Sequence, residues 1–129
     1  MADEVLELVN LERSQNDLHP VVMNAELTAI AESYAQRMIE AKFFGHRDPV
    51  SGDGPAERAV AARYAFIVIG ENLAAGQESA AEVMKAWMES ESHADIILDP
   101  MWREVGIAVA PGGEHGVYWV QEFAAPAGY

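Results

Sequence analysis

The chain has 129 residues, half of them hydrophobic, and sets 8 basic against 21 acidic side chains for a net charge of −13. That is one domain's worth of sequence with enough apolar content for a core that needs no staples, and the lack of cysteine excludes disulfides and thiolate metal or redox centres. The acidic balance excludes a nucleic-acid footprint, which needs basic side chains against phosphate, and it weakens adhesion to anionic membranes.

No apolar run reaches the length of a membrane span. The opening MADEVLELVN is acidic and amphipathic, so it is not a signal peptide. Taken literally the chain is cytoplasmic, and a chain trimmed of its export signal reads the same.

In ADEVLELVNLERSQNDL, Val5 with Leu8 and Leu11, or Val5 with Val9 and Leu11, mark one helical face. MNAELTAIAESYAQRMIEAKFF has a clear helical period: Leu27, Ile30, Ala31, Tyr34, Met38 and Ile39 point one way, and Asn24 is placed to cap the first turn. Gly45–Pro55 (GHRDPVSGDGP) is a loop, because its prolines and glycines forbid regular structure. Asp53 is expected to cap a short helix through PAERAVAARY, and FIVIGENLA reads as a strand or buried extended segment. Ser79 and Glu82 form a capping box for a helix that turns Val83, Trp87 and Met88 inward. SESHADIILDP gives a short helical turn closed by Pro100. In EVGIAVAPGGEHGVYWVQEFAA, Val105, Ile107 and Val109 alternate, as do Val117, Trp119 and Gln121, around a Pro-Gly-Gly turn, which predicts a hairpin. Helices that lead and antiparallel strands that finish argue for a single α+β domain with helices packed on a small sheet.

Of four histidines, His19 and His115 sit in connections and are expected to face solvent. His46 and His93 stand where apolar burial gives way to polar sequence, and Glu71 ends an apolar run in the same manner. Each alone reads as a polar residue satisfied at a core edge. Together they suggest one cleft, and two imidazoles with a carboxylate are a reasonable ligand set for zinc with a position left for water. Their wide separation in sequence is not a compact signature of the H-x-x-x-H kind. A catalytic reading also stands: a carboxylate orients a histidine that acts as general base. Ser90 and Ser92 lie near His93, but no G-x-S-x-G elbow supports a serine nucleophile. On a helix continuing past Trp87, Glu91 shares its face and Glu89 points away. Asp48, before a proline, reads as a turn residue.

The ordered blocks FFGH, GENLAAG, AWMESESHADIIL, EVGIAVA and YWVQEF resemble the CAP superfamily, the family of cysteine-rich secretory proteins, antigen 5 and pathogenesis-related protein 1. The likeness runs from about Val5 to Phe123 and is nearest to the compact, cysteine-free bacterial branch (SCP domains). It implies a three-layer α-β-α sandwich with a small antiparallel sheet and a cleft lined by two histidines and acidic residues. His46 matches the first cleft histidine, Glu71 the acid of the Gly-Glu-Asn motif, and His93 the second histidine. Where better-known members place a further helix glutamate, this chain has Ser90 between Glu89 and Glu91, which leaves the fourth cleft residue open, with Glu91 a candidate. Ser92 replaces a glycine before the second histidine and is expected to fit if its φ is negative. Asn72 is expected to bond backbone groups and fix the loop. Gln121 reads either as a second polar strut or as an outward-facing strand residue.

The resemblance implies function less tightly than fold. The leading expectation is an exported, monomeric binding domain, non-catalytic or weakly catalytic, whose cleft holds zinc or another divalent ion through His46 and His93, with Glu71 at the ion directly or through water. The alternatives are a hydrolase of peptides or envelope material that uses His93 or Glu71 to activate water, and a lipid or sterol carrier. An extracellular or envelope location follows from the resemblance, with no nucleic acid as partner.

Overall fold

The computed structural model describes residues 1–128. Its elements in chain order are α1 (Ala2–Gln15), β1 (Val22–Met23), α2 (Ala25–Ala41), α3 (Pro55–Ala61), β2 (Phe66–Ala75), α4 (Ala80–Glu89), α5 (Glu91–Ile97), β3 (Glu104–Pro111) and β4 (Val117–Pro126). The strands form one sheet in the order β1-β3-β4-β2, with β1 parallel to β3 and the other pairs antiparallel. Helices cover both faces, which gives the expected α-β-α sandwich.

On one face α2 lays Ala31, Tyr34, Ala35 and Met38 against Leu73, Ala108, Tyr118 and Val120. Leu27, Ile30 and Ala59 extend that layer toward Ala124. On the other face Val5, Val9, Val83, Trp87 and Ile97 pack on Ala74, Val105, Ile107, Trp119 and Phe123. Because β4 lies between two strands and two helical layers, it is buried from Tyr118 to Pro126 on both faces. This is why its sequence reads as a nearly continuous apolar run rather than a clean alternation. Gly106 brings α2 close to β3: a Cβ there would stand 2.1 Å from the main-chain carbon of Leu27.

Asn24 caps α2 as expected, its Oδ1 accepting from Leu27 N at 2.9 Å. Four local expectations need correction. Leu11 is 51% exposed, and Arg13 takes the inward place instead, donating to the carbonyls of His19, Ile97 and Asp99. Those three bonds offset much of the cost of burying the guanidinium, with only Nη2 left without a hydrogen bond. His19 is not free in solvent: it is half-buried, with Nε2 2.7 Å from the carbonyl of Trp102 and beside the guanidinium of Arg103. The cap of α3 is Gly54, not Asp53, and the Glu57 carboxylate accepts from Gly54 N at 2.7 Å. At α4 only half of the expected box forms, since Ser79 Oγ accepts from Glu82 N while the Glu82 carboxylate accepts from Glu78 N.

Candidate functional site

Successive residues of a strand face opposite sides of the sheet, and β2 uses this at its edge position. Glu71 turns toward the α2–α3 layer and Asn72 toward α5. Across the ladder Glu71 is paired with Glu122 and Asn72 with Gln121. Four polar side chains thus sit buried in the middle of two otherwise apolar strands.

On the α2–α3 side, His46 Nδ1 lies 2.7 Å from Glu71 Oε1. Glu71 is ionised and can only accept, so His46 carries its proton on Nδ1 and presents a lone pair at Nε2. The other Glu71 oxygen accepts from Arg58 Nη2. Arg58 lies flat on the Tyr34 ring, 3.3 Å from its centroid. Its Nη1 donates to the carbonyls of His46 and Asp53 at 3.0 and 3.1 Å. Tyr34 donates to the carbonyl of Gly45, so both residues at the start of the loop are held from below. Burial pushes the Tyr34 hydroxyl up to about 12, which keeps it a donor. Further along the loop, Arg37 grips Asp48 with two bonds of 2.6 and 3.2 Å, and Asp48 Oδ1 accepts from the N–H of Val50 and Ser51. Asp48 is the turn residue its sequence predicts. The Arg37 bond and these N–H groups hold its carboxyl well below the ordinary range.

Glu122 is fully enclosed next to Glu71, with Arg58 Nη2 3.9 Å away. As a carboxylate, neither of its oxygens has a hydrogen-bond donor. As a carboxylic acid it becomes the donor, and Glu71 is the acceptor beside it. Burial first, then the hydrogen bond to Glu71 and after it the Glu71 charge, push Glu122 well above the carboxylate range. Glu71 goes the other way. Its own burial opposes ionisation, but hydrogen bonds from Glu122 and His46 and the Arg58 charge outweigh it, so it stays below its usual value. The pair holds one proton, on Glu122, and Arg58 balances Glu71.

On the α5 side, Asn72 Nδ2 donates to the carbonyl of His93 (3.1 Å) and to Gln121 Oε1 (3.2 Å). Asn72 therefore bonds the backbone as expected, and Gln121 is an inward strut. His93 Nδ1 lies 2.7 Å from Ser90 Oγ, which in turn lies 3.3 Å from Ser92 Oγ. The helix does not continue past Trp87 as far as Glu91: it ends at Ser90, whose φ of −100° and ψ of 118° cap both α4 and α5. Glu91 is therefore the exposed first residue of α5 and not a neighbour of Trp87 on one face. Ser92 sits within α5 at negative φ, as its substitution for glycine required. His93 is half-buried, and its proton affinity is lowered by that burial and, when His46 is protonated, by the charge on that ring. The two imidazoles thus come within electrostatic reach across the edge of β2.

Among the described residues no three histidine, cysteine or carboxylate side chains converge into a metal-holding group. His46 and His93 stand as a pair, and both oxygens of Glu71 are engaged by His46 and Arg58. The sequence reading missed Arg58, Glu122 and the support role of Tyr34. Glu122 had one visible signal, a Gln-Glu pair inside an apolar strand of the hairpin. Arg58, in an exposed-looking helix, had none.

A small sheet between two helical layers, with paired histidines flanking an edge-strand Gly-Glu-Asn, defines an SCP-type domain. The chain belongs to the CAP family of cysteine-rich secretory proteins, whose sequence profile matches residues 6–123. It is 34% identical over 120 residues to protein YkwD of Bacillus subtilis (strain 168), covering 93% of this chain and 45% of that one, so it spans less than half of this relative. Its fold is similar to that of an extracellular SCP-domain protein of Bacillus anthracis (TM-score 0.84, 22% identity, 95% of this chain and 39% of the other). It is also similar to an outer surface protein of Borrelia burgdorferi (TM-score 0.83, 23% identity, 97% and 89%). A more distant likeness is to NaASP2, whose crystal structure was solved with Zn2+ (TM-score 0.69, 15% identity, 96% and 78%). Among the described residues no helix is long and apolar enough to cross a membrane.

Proposed function

We propose that this is an exported CAP domain of the extracellular space or cell envelope whose cleft takes one divalent ion, of which zinc is the first candidate. The carrying observation is that each cleft histidine has Nδ1 engaged, by Glu71 for His46 and by Ser90 for His93, which leaves Nε2 on both rings. A carboxylate behind an imidazole fixes its tautomer and strengthens it as a ligand. Glu71 does this for His46, so its part is to hold the ring. The hydroxyl relay from His93 through Ser90 to Ser92 does the same more weakly. The ion would supply Lewis acidity at positions open to water or to a donor from a partner. The secretory character of the family and the Zn2+ in the NaASP2 crystal structure support the reading.

Calorimetric titration of zinc near neutral pH should give one-to-one binding that vanishes in the His46→Ala, His93→Ala double variant. Glu71→Gln should weaken it about ten- to a hundredfold. Affinity should fall as pH drops and protons take the imidazoles. A double variant that binds zinc like the parent refutes the assignment.

A further inference from the structure

Small side chains keep α2 and the end of α3 from closing on each other. Ala29 and Ser33 on one side and Ala61 and Ala62 on the other wall a groove of about 550 Å³, with the buried Ile30 and Tyr34 at its floor. That volume lies within the range of small-molecule sites. Five charged side chains border the groove, and three of them are already matched, Arg37 with Asp48 at 2.6 Å and Arg58 with Glu71. Glu26 and Asp53 are not. Among the described residues no hydrogen bond or ion pair reaches either carboxylate.

The two acids stand at different levels. Glu26 belongs to the first turn of α2. Asp53 is placed by Arg58, which lies on the Tyr34 ring and donates to the Asp53 carbonyl at 3.1 Å. Tyr34 comes eight residues after Glu26, so the acids are separated by about 12 Å along the helix, at 1.5 Å per residue. Between those levels Ala29, Ile30, Ala61 and Ala62 supply apolar wall.

We propose that the α2–α3 groove binds a linear aliphatic diamine or polyamine. One ammonium group meets Glu26, the other meets Asp53, and the methylene chain lies along Ile30 between the alanines. Eight extended carbons between two nitrogens cover about that span, at roughly 1.5 Å a bond. Charge disfavours the other occupants. A fatty acid would bring a third carboxylate to two that are uncompensated, and a second copy of the chain would add another −13. Neither Glu26 nor Asp53 bonds to the cleft histidines through its carboxylate, so the groove stands apart from the ion site.

The test uses the 15N-labelled chain with chelator present, so that its failure leaves the histidine-pair reading untouched. The probe is 1,8-diaminooctane. Octylamine keeps the chain and one charge, and 1,4-diaminobutane keeps both charges on a chain too short to reach both acids. At about 0.02 M salt the probe should shift the Ile30 and Ala61 amide resonances saturably. It should bind about three- to fivefold more tightly than either control, a margin that closes at about 0.5 M salt. Glu26→Gln and Asp53→Asn should each bring the probe down to the level of octylamine. Equal binding of octylamine and the probe by the parent, variants that bind the probe as the parent does, or unmoved Ile30 and Ala61 amides overturns the proposal.

Discussion

Glu122 shows most directly how a single residue reports the state of the cleft. It is enclosed opposite Glu71 and holds a proton that the unfolded chain would release. Between the ordinary glutamate value of 4.5 and its raised folded value, the native state therefore binds more protons than the unfolded state. The stability that Glu122 contributes is complete below that window and is lost as pH rises through it, at up to about 1.4 kcal/mol per pH unit. Glu71, held low, works in the opposite sense: its contribution is present above the ordinary value and is lost as pH falls. Glu122→Gln keeps an N–H donor toward Glu71 and removes only the first dependence. Urea unfolding from about pH 4.5 to about pH 8 should show the variant gaining on the parent steadily as pH rises. A difference independent of pH would mean that Glu122 is ionised in the native state. His46, Glu71 and His93 were legible in the sequence because each interrupts an apolar pattern at a motif. Arg58 was not, since the Tyr34 ring and the Glu71 carboxylate that hold it come from elements distant in the chain.

At the scale of elements, the decisive contact is α2 on β3. With Leu27 C at 2.1 Å and both Leu27 O and Thr28 N at 2.4 Å from the place of a Cβ, Gly106 faces backbone that cannot turn aside. Gly106→Ala should lift α2 from the sheet and cost about 3 kcal/mol in urea unfolding, near the upper end of what overpacking does. A loss within about 0.5 kcal/mol would show that α2 shifts freely. Local chemistry made most elements readable: the Asn24 cap, the hairpin turn and the period of α2 all agree with their sequence. The cap corrections at Gly54 and Glu82 are local, whereas the larger misses share one cause, which is that tertiary partners overrode local preference. Arg13 goes inward because the carbonyls of Ile97 and Asp99 receive it, and the chain breaks at Ser90 to set His93 over Asn72.

For the whole molecule, 21 acidic side chains against 8 basic ones make self-repulsion the dominant long-range term. The pairs of Arg58 with Glu71 and of Arg37 with Asp48 are local and only partly open to water, so added salt weakens them little. Raising sodium chloride from about 0.01 M to about 0.5 M shortens the screening length several-fold and should raise the melting temperature by a few degrees. A fall in calorimetry would mean that exposed ion pairs outweigh the repulsion.

The strand order also has a consequence in time. The last strand, β4, is the one that joins β3 to β2, and β2 has no other neighbour among the described strands. A polypeptide emerging amino end first would present every helix before the surface that seats it exists, and only the arrival of residues 117–126 would bring the two halves together. Completion of the sheet is thereby deferred to a single late event. Until then β2, which carries Glu71 and Asn72, has no strand to pair with among the described strands.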